Sequence, residues 1–193
     1  MASRVIQRPR LAVLLSGSGR TLQNLLDRIG DGRMHAAIAG VGSDRADAFG
    51  LQRAMDHGLE ARTLKDGSAT LSWLSELDAD LIILAGYLRL LPIVPEFQNR
   101  VLNIHPSLLP KFGGKGMHGE RVHAAVLAAR ETESGCTVHL CNDKYDDGRI
   151  ILQARVPVQP GDDAKTLAAR VFAAECEALP AAIALHWRTL TSA

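Results

Sequence analysis

The chain has 193 residues and a mass of 20.8 kDa, enough to bury one core of ordinary size, and we expect a single domain over residues 1–193. Hydrophobic residues make up 47% of the chain, and 22 Lys and Arg oppose 21 Asp and Glu, which excludes a disordered chain and a broadly basic nucleic-acid-binding surface. Cys136, Cys141 and Cys176 supply neither a disulfide framework nor a CxxC metal site, and the apolar stretches are too short to span a membrane. We therefore expect a soluble cytoplasmic protein with no metal and no nucleic-acid or membrane partner.

The first half of the chain alternates short apolar runs with segments of helical periodicity. Leu11 to Leu15 is a continuous apolar run that ends at a glycine-rich turn, as in a strand buried on both faces. Apolar residues at helical spacing follow over 21–29, and Gly30 marks the stop. The same reasoning predicts strands at 36–41, 58–64 and 100–104, helices at 44–57 and 69–77, and a strand within the apolar run 79–91.

The second half has a looser pattern. It predicts a helix over 118–130, strands at 136–141 and 150–158 separated by the acidic turn NDKYDDGR, and a helix over 164–187 that Pro180 bends or splits. Repeated strand, helix, strand order with buried strands predicts an α/β fold, with a mostly parallel twisted sheet flanked by helices.

Ligands of open parallel sheets bind beyond the carboxyl ends of the strands, and the loop SGSGRT at residues 16–21 lies at such a place. Free backbone N–H groups and the dipole of the following helix favour an anion such as phosphate there. The loop matches neither the GxGxxG dinucleotide fingerprint nor the GK[ST] of a P-loop. A tight turn that needs glycine only for its backbone geometry is the alternative interpretation.

A second strand end carries Asn103 and His105 in the sequence VLNIHPSLLP. Residues two apart on a strand leave the same face, so the amide and the imidazole can converge on one small atom. Such a pair can hold a developing oxyanion while the histidine donates or accepts a proton. A hydrogen-bonded structural histidine is the alternative. The acidic turn with Asp143, Asp146 and Asp147 is, on its residues alone, typical of a solvated hairpin.

Five segments together resemble a known family, the folate-dependent formyltransferases, and within it the branch that formylates glycinamide ribonucleotide in purine synthesis. They are AVLLSGSGRTLQNLL, SDRADAFGLQRA, ADLIILAGYLRLLP, NIHPSLLPKF and VHLCNDKYDDGRIILQARVPV, and the resemblance extends over nearly the whole chain. It implies a Rossmann-like formyltransferase fold with an antiparallel C-terminal strand portion, 10-formyltetrahydrofolate as the formyl donor, and small-molecule substrates without a metal. It leaves open whether the protein is a monomer or a homodimer.

The resemblance also implies roles for individual residues. Asn103 would donate a hydrogen bond to the formyl oxygen, His105 would stabilise the oxyanion, and Asp146 would orient His105 and help move a proton from the amine to the leaving nitrogen. The resemblance also implies residues that bind the substrates: Gly17, Ser18, Gly19, Arg20 and Thr21 for the ribose phosphate, Arg89, Leu90 and Leu91 for the folate, and Glu175 near the glycinamide. For Glu175, an exposed helix carboxylate without a binding role is the alternative.

Three features depart from the family pattern. The phosphate loop reads Gly-Ser-Gly-Arg-Thr where Gly-Asn-Gly-Ser-Asn is common, and Asp147 stands where glycine is usual. The segment between Leu64 and Ala79 is shorter than expected, and the missing part usually brings an arginine to the same phosphate. We hypothesise that Arg20 replaces that arginine, because a guanidinium suits bidentate phosphate contact. The departures keep two enzyme alternatives open: another amine acceptor such as an amino sugar, and hydrolysis of formyltetrahydrofolate. A module that binds a nucleotide or folate without turnover is an alternative of a different class.

Overall fold

Seven strands and five α-helices are present in the computed structural model, which describes residues 8–192. The strands are β1 (Arg10–Leu15), β2 (Ala37–Ser43), β3 (Ala61–Thr63), β4 (Leu81–Leu84), β5 (Val101–His105), β6 (Glu133–Leu140) and β7 (Ile150–Pro157). The helices are α1 (Arg20–Gly30), α2 (Phe49–Asp56), α3 (Gly67–Glu76), α4 (Glu120–Ala128) and α5 (Ala164–Thr191), and a 3₁₀ turn spans Pro95–Phe97.

The strands form one sheet in the order β3-β2-β1-β4-β5-β6-β7. The first five strands in the chain run parallel, whereas β6 is antiparallel to both β5 and β7. The predicted fold class is therefore confirmed, including its antiparallel C-terminal portion. Because the strand order reverses between β1 and β4, the loops after these two strands diverge and leave a crevice, the usual ligand position in such sheets.

Both faces of the sheet are buried, which explains why β1 is apolar at every position from Leu11 to Leu15. Leu11, Val13 and Leu15 belong to one core cluster, together with the apolar faces of α1 and α5. Ala12 and Leu14 belong to the other cluster, which includes Trp73 and Leu74 of α3 and several residues after β4. A strand covered by helices on both sides has no solvent face and so shows no alternation.

Several predicted boundaries are wrong. The helix expected over 44–57 begins only at Phe49, and the strand expected over 58–64 has just 3 residues. The strand within the run 79–91 ends at Leu84, because Gly86 adopts a left-handed φ of 78° and the chain turns into a loop. The strand expected from residue 136 begins earlier, at Glu133, and the helix expected over 118–130 is confined to Glu120–Ala128.

Pro180 does not split the last helix, since α5 runs without interruption from Ala164 to Thr191. Proline has no N–H, so the carbonyl four residues earlier, that of Cys176, loses its helical donor. Asn24 of α1 replaces that donor through Nδ2, 3.0 Å from the Cys176 oxygen. This bond joins α1 to α5 beside the crevice. Among residues 8–192, no helix is long and apolar enough to cross a membrane.

Candidate active site

A cleft of about 490 Å³ lies at the crevice between the loops after β1 and β4. The carboxyl end of β5, the start of α4, the loop between β6 and β7, and the inner face of α5 complete its walls. Every residue predicted from the sequence to belong to the site lines this cleft. Residues from five segments that are distant in sequence are therefore gathered at one place.

Three side chains named from the sequence meet in the centre of the cleft. Asn103 donates through Nδ2 to Oδ1 of Asp146 at 3.2 Å, and Nδ1 of His105 lies 3.4 Å from Oδ2 of the same carboxylate. The side chains of His105 and Asp146 are buried, whereas Asn103 is partly exposed toward the cleft. Asn103 is thus the member of the group that an incoming ligand reaches first.

A fourth side chain, His139 of β6, completes this cluster and was missed by the sequence analysis. The antiparallel register places His139 directly opposite Asn103, so both side chains lie on the same face of the sheet. Nδ1 of His139 lies 3.0 Å from the backbone oxygen of Leu140, and Nε2 lies 3.1 Å from Nδ2 of Asn103 and 3.5 Å from Oδ1 of Asp146. His139 fixes the orientation of the Asn103 amide.

Backbone groups form further hydrogen bonds with the side chains of His105 and Asp146. Nε2 of His105 donates to the carbonyl oxygen of Phe112 at 2.9 Å, and the N–H of Gly114 donates to Oδ2 of Asp146, also at 2.9 Å. Asp146 itself has a left-handed backbone with φ of 55°, which is unusual for a residue other than glycine. Such a conformation persists when the surrounding contacts over-determine it, as they do here.

Burial and charge oppose each other at His105 and Asp146. Burial lowers the pKa of His105 below its ordinary value, although Asp146 and the Phe112 carbonyl act in the opposite direction. Burial alone would raise the pKa of Asp146, but contacts with His139 and His105 and the Gly114 N–H outweigh it, so this pKa lies below its usual range. Asp146 is accordingly ionised at neutral pH, and its charge favours a proton on His105.

The glycine-rich loop lies against the start of α2 and leads into α1. Gly19 has φ of 70°, and a Cβ there would lie 2.5 Å from the Cα of Gly50, so only glycine fits. Arg53 supports the loop from behind by donating to the Ser18 carbonyl at 2.9 Å. No side chain caps the N-terminus of α1, so its first N–H groups remain for a ligand.

The side chain of Arg20 is exposed in the cleft and stacks on Phe172 of α5, with its guanidinium carbon 3.8 Å from the ring centroid. Glu175 lies one turn further along α5 and lines the same wall. Burial raises the pKa of Glu175 to about 7, and the positive charge of Arg20 limits the rise. This end of the cleft therefore offers one guanidinium and one carboxyl that titrates near neutral pH.

The loop after β4 forms the opposite end. Ser16 anchors it, because its Oγ accepts from the Leu88 N–H at 2.9 Å and donates to Asp44 at 2.5 Å. The guanidinium of Arg89 faces outward to Asp44, at 3.2 Å. Leu90 is exposed and Leu91 is buried in the core, so apolar surface and loop backbone are what this end presents to a ligand.

The arrangement combines a partly exposed amide, a buried histidine, an ionised carboxylate and an anion-binding loop in one cleft. These groups suit acyl transfer, in which an oxyanion develops on a carbonyl and a proton leaves the attacking group. A family model described as formyl transferase matches residues 9–183, so the chain belongs to the formyl transferase family.

Individual relatives within the family have more specific names. The crystal structure of glycinamide ribonucleotide transformylase 1 from Symbiobacterium toebii is 40% identical, with a TM-score of 0.86, and the match covers 95% of this chain and 89% of that one. Phosphoribosylglycinamide formyltransferase of Haemophilus influenzae is 37% identical over 191 residues, which cover 93% of this chain and 87% of the relative. The trifunctional purine biosynthetic protein adenosine-3 of Drosophila pseudoobscura pseudoobscura is 44% identical over 92% of this chain, which spans only 14% of that longer protein.

Proposed function

We propose that the protein transfers the formyl group of 10-formyltetrahydrofolate to the amine of glycinamide ribonucleotide. The cluster of Asn103, His105 and Asp146 in a cleft with an anion-binding loop carries this proposal. The names of the relatives support the choice of acceptor. The donor is a co-substrate, and no step of this chemistry calls for a metal.

The neutral amine attacks the formyl carbon, a C–N bond forms, and the carbonyl electron pair moves to the oxygen. Asn103 donates to that oxygen through Nδ2, which in the free protein contacts Asp146 and His139, and the charge of protonated His105 stabilises the oxyanion. The new ammonium then gives a proton to Asp146 through water. As the tetrahedral intermediate collapses, the oxyanion electron pair re-forms the carbonyl and the bond to folate N10 breaks. N10 takes up the proton that Asp146 received, returned through water, so charge and protons balance.

The two ends of the cleft divide the substrates between them. The loop of Gly17, Ser18, Gly19, Arg20 and Thr21, with the N-terminus of α1, receives the phosphate of the ribonucleotide, and Glu175 lies near its glycinamide. Arg89, Leu90 and Leu91 lie in the loop that receives the folate, whose ring packs on apolar surface and pairs with backbone groups. The formyl group then lies between them, beside Asn103.

A steady-state assay tests the proposal. Purified protein is incubated with 10-formyltetrahydrofolate, with and without glycinamide ribonucleotide, and loss of the formyl group from the folate is followed. Turnover that requires the ribonucleotide is expected. Turnover without any acceptor would instead identify a hydrolase, and turnover only with amino sugars would change the acceptor. Donor binding without turnover under any condition would leave a binding module.

Arg20 supplies the sharpest test of the acceptor site. We expect Arg20→Ala to raise KM for the ribonucleotide about 10- to 100-fold, because a charge-assisted hydrogen bond to a phosphate contributes roughly 1.5–3 kcal/mol. The Kd for the donor folate should not change. Arg33→Ala is the matched control, since Arg33 is an exposed arginine paired with Asp31 outside the cleft. An unchanged KM in Arg20→Ala would contradict the phosphate role.

A further inference from the structure

One short stretch of main chain contacts both members of the His105–Asp146 pair. The carbonyl of Phe112 accepts from Nε2 of His105, and two residues later the N–H of Gly114 donates to Oδ2 of Asp146, each at 2.9 Å. The same Oδ2 lies 3.4 Å from Nδ1 of His105. The backbone of residues 112–114, named here the backbone clamp, thus contacts both members of the pair.

The polarity of these contacts is complementary to the charges that catalysis needs. A carbonyl oxygen beside an imidazole favours the protonated ring, and an amide N–H beside a carboxyl favours the ionised form. Both contacts therefore favour the imidazolium–carboxylate pair over two neutral groups. Burial of the pair acts in the opposite direction, because a low-dielectric site disfavours charge.

The backbone conformation of residues 112–114 restricts which side chains these positions can carry. Phe112 and Gly114 both have left-handed φ values, 56° and 100°, and this region disfavours residues that carry a Cβ. A Cβ on Gly113 would lie 2.5 Å from Cδ2 of Leu109 and 3.1 Å from Cβ of Asp146. The clamp approaches Asp146 this closely only because residue 113 has no side chain.

We propose that the backbone clamp of residues 112–114 is a positioning element that favours the charged form of the His105–Asp146 pair against the burial that opposes it. Its kinetic consequence rests on the formyl transfer proposed above, but its electrostatic consequence does not. Removal of the Gly114 N–H should raise the pKa of Asp146 and weaken the support that this carboxylate gives to a proton on His105.

Other titratable groups are packed around the pair. His139 of β6 lies 3.5 Å from Oδ1 of Asp146, Cys141 follows β6, and His123 of α4 lies on the side of His105. Burial raises the pKa of the Cys141 thiol to about 12 and lowers that of His123, so both are neutral at pH 7. Cys141 therefore stays neutral while Asp146 titrates in the acid range, and any protonation of His123 there is common to the parent and both ester variants.

The most direct test replaces only the backbone N–H of Gly114. Replacing Gly114 with glycolic acid by nonsense suppression converts the amide to an ester, which removes the N–H and keeps the freedom of φ. The same ester at Lys115, an exposed neighbour that does not line the cleft, is the matched control. The pKa of Asp146 is read from the ¹³C shift of its labelled carboxyl, assigned with Asp146→Asn.

We expect the Gly114 ester to raise the pKa of Asp146 by about one unit or more, since a hydrogen bond to a charged group contributes 1.5–3 kcal/mol and one pKa unit corresponds to 1.36 kcal/mol. The acid limb of the kcat profile should move to higher pH by the same amount, with KM values within about twofold of the parent. The Lys115 ester should move neither quantity.

Equal shifts in the two esters, or no shift in either, would overturn the proposal. The titration needs no substrate, so a protein that fails to transfer formyl groups but shows the Gly114 shift refutes the proposed function and leaves the clamp standing. If the Gly114 ester does not fold, Gly113→Ala serves instead, because its Cβ pushes the clamp from Asp146. An unchanged Asp146 pKa in that folded variant would refute the clamp as well.

Discussion

The hydrogen bond between Asn24 and the Cys176 carbonyl joins α1 to α5 at the end of the cleft that carries Arg20 and Glu175, and its contribution to the free energy of unfolding can be predicted. Asn24→Ala leaves the Cys176 carbonyl without the donor that Pro180 cannot supply, and it also removes the acceptor of the Arg28 Nε–H at 3.2 Å. A lost hydrogen bond at a partly buried group typically costs about 1–2 kcal/mol. For a chain of this size we expect Tm to fall by about 2–8 °C.

Pro180→Ala separates the two parts of that effect. Alanine restores an N–H at residue 180, which can donate to the Cys176 carbonyl within α5. Asn24→Ala should then cost about 1 kcal/mol less in the Pro180→Ala background than in the parent. Packing lost with the proline ring is the same in both backgrounds and cancels in the double-mutant cycle.

Urea unfolding followed by circular dichroism on the four proteins measures the coupling. The reasoning requires a coupling free energy near 1 kcal/mol, well above the roughly 0.3–0.5 kcal/mol within which independent sites add. If the costs of Asn24→Ala agree in the two backgrounds, Asn24 does not replace the helical donor. Equal m-values across the set confirm that the unfolded states are comparable.

Three further predictions concern the cleft. Asp146→Asn should lower kcat by about 10²–10⁴-fold, the usual contribution of a proton-transferring group, while the donor Kd measured by calorimetry stays within a few-fold of the parent; an unaffected kcat would remove Asp146 from the mechanism. Because burial raises the pKa of Glu175 to about 7, its carboxylate forms as pH rises from 6 to 8, so KM for the acceptor should fall over that range and Glu175→Gln should flatten the fall. A fall that persists in Glu175→Gln belongs to another group. Gly19→Ala should destabilise the fold by about 2 kcal/mol or more through left-handed strain and contact with Gly50, and should raise the acceptor KM, with Gly17→Ala as the mild control since a Cβ there meets nothing within 4 Å. Equal stabilities of the two variants, measured by urea unfolding, would contradict the close approach.

The sequence predicts the parallel part of the fold well because each strand covered on both faces is a short apolar run. It fails where apolar residues serve a loop. Residues 85–91 follow β4 with the same apolar character, yet Tyr87 and Leu91 are buried from a loop and Leu88 and Leu90 are exposed beside the cleft. Hydrophobicity reports burial or ligand contact and does not distinguish the two, so the end of β4 was not predictable from the pattern alone.

For the site, too, the sequence predicts what depends on local spacing and misses what depends on the path of the chain. The i, i+2 spacing of Asn103 and His105 predicts their shared face, because that property depends only on strand periodicity. His139 depends on register between strands 36 residues apart, which no local pattern records. The Gly114 amide is harder still, because a backbone N–H exists at nearly every residue and its role follows only from the path of the chain. The signal that could have drawn attention to it was the pair Gly113-Gly114, which begins eight residues after His105 of the Asn-x-His motif.

The bond between Asn24 and Cys176 also orders events during synthesis of the chain. These residues are 152 apart, so at about 5–20 residues per second the ribosome adds Cys176 roughly 8–30 s after Asn24. Throughout that interval α1 lacks the helix against which Leu22 and Leu25 pack, and the nascent chain exposes their apolar surface. The glycine loop and the folate loop are therefore made well before the wall that carries Glu175. The time taken to synthesise the whole chain from α1 to α5 therefore sets how long this apolar surface stays without its partner helix.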